Sequence, residues 1–101
     1  MENYLKQISI LYVEDEQAVR DGYERTLSRL SKELFVAENG LEGLELYKKH
    51  RPDIVVSDIK MPGLNGIEMA REIKAIKEDQ IIIFTTAHTE AGYTIEALDM
   101  Q

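Results

Sequence analysis

Four short apolar runs, spaced by stretches of helical period, constrain this chain more than any other feature. The runs are "ISILYV" (8–13), "ELFVA" (33–37), "DIVVS" (53–57) and "IIIFTT" (81–86). Between and after them the apolar residues recur at helical spacing: Val19, Tyr23, Leu27 and Leu30, then Leu41, Leu44 and Tyr47, then Ile67, Ala70, Ile73 and Ile76, then Ala91, Ile95 and Leu98. Asn39-Gly40 alone would suit a hairpin, but the residues after it have helical rather than alternating period. Arg51-Pro52 marks the entry to the third strand, because the residue before proline disfavours helix. The pattern is βαβαβαβα. Nearly continuous apolar strands between amphipathic helices predict an α/β fold, a doubly wound parallel sheet covered on both faces, in one domain spanning residues 1–101.

An open sheet of this kind places its ligand site at the carboxyl ends of the strands. The first strand is followed by Glu14, Asp15 and Glu16, the third ends at Asp58, and the fourth ends at Thr85 and Thr86. If the first and third strands are neighbours, Asp15 and Asp58 converge. Carboxylates held together repel unless a cation lies between them. There are no cysteines and no nearby histidine pair, so oxygen ligands dominate, and these suit Mg²⁺ or Mn²⁺ better than Zn²⁺. Each residue also has a purely structural reading. Glu14 to Glu16 would suit the acidic first turn of a helix. Asp58 would serve as an N-cap, although Asn65 stands closer to the next helix. Thr86 would be an ordinary β-branched strand end. Acids after two strands and a hydroxyl after a third make a combination that these separate readings do not explain.

Composition removes several classes of function. The net charge is −7 and the pI about 4.8, so direct nucleic-acid binding is not expected. The longest purely apolar run is Ile81 to Phe84, far short of a membrane span, and no signal peptide is visible at the N-terminus. The lack of cysteine fits a cytoplasmic protein without disulfides or thiolate metal sites.

The segments "ILYVEDE" (10–16), "NGLEGLEL" (39–46), "PDIVVSDIKMPGLNGIE" (52–68) and "IIIFTTAH" (81–88) resemble, in register, the receiver domain of two-component response regulators, which have the chemotaxis-regulator fold. The resemblance implies a flavodoxin-like strand order 2-1-3-4, with a fifth strand beyond. It implies that Asp58 accepts a phosphoryl group, exposed at its strand end for attack from solvent. Asp15 would be the main acidic metal ligand and Glu14 a second, with the backbone carbonyl of Lys60 as a third protein ligand for Mg²⁺. Thr86 would contact the phosphoryl group, and Ala87 would leave space beside it. The donor would be a phosphohistidine on a sensor histidine kinase or phosphotransfer protein. The chain would then be a self-phosphorylating and self-dephosphorylating acceptor rather than a turnover enzyme. Gly63 and Gly66 would tolerate unusual φ, and Met61-Pro62 would stiffen the loop. His88 reads as an exposed rim residue and His50 as a surface residue at a helix end.

The family continues with a fifth strand and fifth helix, whereas the sequence given stops at "EALDMQ" (96–101). No residue can be assigned to the family's lysine on the fifth strand or to its switch aromatic. Phosphorylation is therefore expected to be weakened. "IIIFTT" is expected to be an apolar sheet edge, covered by a homo-oligomer or by strand or helix exchange. Competing readings are a pseudo-receiver that dimerises or binds without being phosphorylated, a Mg²⁺-dependent phosphatase, and a nucleotide- or flavin-binding domain. The phosphatase wants a second acid where Lys60 stands. The nucleotide reading lacks a Gly-x-Gly-x-x-Gly after the first strand. The kinase, the signal and the output are not encoded legibly.

Overall fold

Strand β1 (Ser9–Val13) lies second in a four-stranded sheet of order β2-β1-β3-β4, in which every neighbouring pair is parallel. The computed structural model describes residues 7–85. The elements run β1, α1 (Gln17–Leu30), β2 (Glu33–Ala37), α2 (Gly40–His50), β3 (Ile54–Asp58), α3 (Gly66–Ile76) and β4 (Ile81–Thr85). The expected α/β class and 2-1-3-4 order are therefore present. The fourth expected helix, residues 90–100, and the last residue of "IIIFTT", Thr86, lie outside the described residues.

Strand alternation sorts the apolar residues into two cores. Leu11, Val13, Val55 and Ile82 point to one face, where they meet Tyr47 of α2 and Met69, Ala70 and Ile73 of α3. Ile10, Tyr12 and Val56 point to the other, against Leu27 of α1. Near-continuous apolar strands are thus needed, since each face has its own helical cover.

The inward faces of the helices differ in detail from the apolar count. In α2, Leu41 is 62% exposed, and the buried positions are Gly40, Gly43 and Tyr47, with Leu44 half-buried. The reason is proximity: a Cβ on Gly43 would lie 2.8 Å from a Val13 methyl and 2.9 Å from the Met69 sulfur, so a small residue faces the sheet. In α3, Met69 is buried and Ile76 is partly exposed at the helix end. In α1, Val19, Leu27 and Leu30 are half-buried and Tyr23 is exposed. Asn65 caps α3, as its position suggested. Its side chain accepts from the Glu68 amide at 2.8 Å, and the Glu68 carboxylate accepts from the Asn65 amide at 3.0 Å, which leaves Asp58 no capping role there.

The two glycines of the β3–α3 loop do different things. Gly63 has φ +75°, a conformation that L side chains rarely adopt. Gly66 has no positive φ. It is small because the backbone of Asp58 runs against it: an added Cβ would overlap the Asp58 carbonyl oxygen and lie 3.0 Å from Ile59 Cα. The Gly66 amide donates to the Ile59 carbonyl at 2.9 Å.

Gly66→Ala is accordingly expected to cost about 1–3 kcal/mol, because backbone rather than a mobile side chain must give way. Gly22→Ala, on α1 with nothing within 4 Å of the new methyl, is expected to gain about 0.5–1 kcal/mol. Urea unfolding midpoints of the two variants should move in opposite directions.

Candidate functional site

Parallel pairing of β1 with β3 puts their carboxyl ends side by side. Val13 is level with Ser57, so the next residue on each strand is an acid: Glu14 and Asp58. Glu14 prolongs the path of β1, its amide donating to the Ala37 carbonyl at 3.1 Å. Asp15 comes next, half-buried. Glu14, Asp15 and Asp58 each bring a carboxylate oxygen within 4.8 Å of the others. Asp58 is 2% exposed and Glu14 is fully buried. This corrects the expectation that Asp58 is exposed: β3 runs one residue further than its apolar stretch, so Asp58 lies inside the sheet, level with Thr85 of β4, and Gly66 packs against its backbone.

The hydrogen bonds around the acids hold them in place without neutralising them. Asp58 Oδ1 accepts from the Ile59 amide at 2.8 Å, and Glu14 Oε2 accepts from the Glu16 amide at 3.0 Å. The Ser57 hydroxyl donates to the Asp58 carbonyl at 2.8 Å. Glu14 Oε1 is buried with no hydrogen-bond partner among the described residues. Burial pushes the Glu14 carboxyl up to about 7, against the pull of the Glu16 amide, and the charges of Asp58 and Asp15 push the same way. Behind the acids stands Tyr12, whose phenol is held above its ordinary range by burial first and by Glu14 next. Its ring meets Tyr23 edge-on, with centroids 6.1 Å apart.

These residues fit a hard divalent cation. The donor set is all oxygen, one buried carboxylate oxygen has no protein donor among the described residues, and oxygens opposed across Mg²⁺ are about 4.2 Å apart, close to the spread of the cage. Lys60, whose backbone carbonyl is the expected third protein ligand, lies in the loop two residues past Asp58, with its side chain exposed. Thr86, Ala87 and His88 lie outside the described residues. Thr85, level with Asp58 on β4, has a buried hydroxyl without a partner among the described residues. Two neighbours were not anticipated from sequence: Tyr12, which reads as an ordinary strand residue, and Arg20. A cation four residues into a helix works against the helix dipole, and that anomaly is the signal that would have singled out Arg20.

Comparison with known proteins agrees with this fold. A family model described as response regulator receiver domain matches residues 10–101. Response regulator MprA of Mycobacterium sp. (strain KMS) is 36% identical over 92 residues, which cover 91% of this chain and 40% of that protein. The chain thus spans about two-fifths of the length of the curated relatives it matches. The N-terminal domain of an uncharacterized protein from Wolinella succinogenes superposes with a TM-score of 0.84 at 35% identity, covering 93% of this chain and 76% of that one. A response regulator receiver domain protein from Clostridium thermocellum gives a TM-score of 0.84 at 29% identity, covering 92% and 75%.

Burial of Glu14 makes stability depend on pH with a definite sign. Its carboxyl titrates near 7 when folded and near its ordinary 4.5 when unfolded, so between these values the folded chain holds the extra proton. The group's contribution is therefore intact below about 4.5 and is lost as pH rises through about 7. Glu14→Gln, which cannot ionise, is expected to be more stable than wild type near pH 8 in metal-free buffer, and to lose that margin near about pH 5. Urea midpoints at the two pH values check it, and an equal margin at both would count against it.

Proposed function

The chain belongs to the response regulator receiver domain family, and from that premise we propose that it is the phosphoacceptor module of a two-component pathway, with Asp58 as the acceptor. The observation that carries the reading is the convergence of Glu14, Asp15 and Asp58 within 4.8 Å at the carboxyl edge. The β3 ladder and the Ile59 amide both hold Asp58, which suits a nucleophile that must be aimed. A carboxylate oxygen of Asp58 attacks the phosphorus in line. The P–N bond of a phosphohistidine breaks, the imidazole leaves with the electron pair and takes up a proton, and a mixed anhydride remains on Asp58.

Asp15, Glu14 and the Lys60 carbonyl, with Asp58 itself, would hold Mg²⁺. That ion, when bound, supplies charge neutralisation between acceptor and phosphoryl oxygens. Thr86 and Ala87 are assigned to the phosphoryl group from the sequence match alone. The donor is a sensor histidine kinase or a phosphotransfer protein, and the site of action is cytoplasmic. No helix among the described residues is long and apolar enough to cross a membrane.

Incubation with acetyl phosphate and Mg²⁺ is expected to add the mass of one phosphoryl group, labile to hydroxylamine, at Asp58. Asp58→Asn should abolish it. An intact wild-type mass under conditions that label a control receiver would favour the competing reading, a pseudo-receiver that binds without being phosphorylated. The burial of Asp58 is the observation on that side.

The 101-residue chain is also proposed to self-associate along β4. Ile81 and Ile83 lie on the α1 side of the sheet, on the strand that is its edge among the described residues, 55% and 46% exposed. Light scattering should show a mass that rises with concentration, and Ile83→Lys should reduce it. A clean monomer at high concentration would remove this proposal.

A further inference from the structure

Arg20 stands where a cation is costly. It is the fourth residue of α1, half-buried, at the end of the helix where the dipole repels positive charge. Its guanidinium reaches backward to the strand that precedes the helix. One nitrogen, Nη1, donates to the backbone carbonyl of Glu14 at 2.9 Å and, at the long limit of 3.4 Å, to that of Asp15. A charged donor shared by two successive carbonyls restrains both peptide planes, and those planes set the directions in which the Glu14 and Asp15 side chains leave the backbone.

The contact spans five and six residues, with one end on a rigid helix and the other on the loop that carries the acids. Helix α1 is itself fixed at its far end: the Ser31 amide and hydroxyl close its last turn on the Leu27 carbonyl, and the next residue, Lys32, donates its amide to the carbonyl of Ile8, just before β1. The acid loop is therefore braced against the body of the fold. The brace takes carbonyls, so it leaves the carboxylate oxygens of Glu14 and Asp15 to other ligands.

We propose that Arg20 is a positioning residue for the cation site, holding the Glu14–Asp15 backbone so that their carboxylates point at the same place as Asp58. The proposal rests on the metal-binding part of the function proposed above.

Its sign distinguishes it from a plain charge effect. Removing a nearby positive charge should, by Coulomb's law alone, tighten a divalent cation. Losing the brace should loosen it. In calorimetric titrations with Mg²⁺ alone, Arg20→Ala is expected to bind about ten times more weakly than wild type, the scale typical of groups that support metal ligands. Arg20→Lys, which keeps the charge and loses the planar fork, is expected to fall between them. Circular dichroism establishes that each variant is folded, and Arg20→Lys carries the test should Arg20→Ala not fold. Binding by the folded variants as tight as wild type, or tighter, overturns the proposal. Wild type that binds Mg²⁺ while Asp58 takes no phosphoryl group, with Arg20→Ala weakened, sinks the phosphoacceptor reading and supports the brace. Wild type that binds no Mg²⁺ overturns both.

Discussion

The rest of the structure answers to one conflict: Glu14 and Asp58 are both withdrawn from water, and their carboxylates, with that of Asp15, share a space less than 5 Å across. Like charges at this range in a medium less polar than water repel by several kcal/mol before any relaxation. A folding chain relieves such a conflict by turning the side chains outward, by protonating one acid, or by admitting a cation. Parallel pairing of β1 with β3 closes the first route, because Val13 is locked level with Ser57 and the next residues have no freedom to separate. The raised pKa of Glu14 marks the second route, and the all-oxygen donor set provides the third.

The opposite edge of the same sheet shows that this conflict is local. There the buried polar side chains of the described residues are satisfied. Gln80 accepts from the Tyr47 hydroxyl at 2.8 Å and donates to the carbonyls of Asp53 at 2.9 Å and Ile81 at 3.1 Å, joining α2 to the starts of β3 and β4. The Asp53 carboxylate accepts from the Ser9 amide at 2.8 Å, fixing β3 against β1. At the carboxyl edge, by contrast, Glu14 Oε1, Tyr12 Oη and Thr85 Oγ1 are buried without partners among the described residues. A fold that saturates one edge and leaves polar atoms open at the other has its rigidity and its chemistry at opposite ends.

The strand runs, their parallel arrangement and the three acids were legible in the sequence because each depends on periodicity or on position relative to a strand end. What was not legible depends on distances between elements. Leu41 looks like core and is exposed, because Gly43 brings α2 so near β1 that the smaller residue faces inward. Asp58 reads as an exposed strand end and is buried, because β3 continues through it beside β4 instead of ending before it. Gln80 carries no periodic or motif signal in the sequence and is a buried three-way link. Arg20 reads as the charged face of a helix, and its role appears only once α1 is laid beside the end of β1.

The loop after β3 connects these points. Met61 is buried in the core beside α3, so the segment that follows Asp58 is anchored at Met61 as well as at Gly66. It is not a flap hung from a glycine hinge. Next to Asp58, Ile59 and Ile67 pack with Phe84 of β4, and Gly66 at the start of α3 lies against the Asp58 carbonyl. The residues around Asp58 thus join the end of β3 to α3 and to β4 through close packing rather than through a flexible hinge.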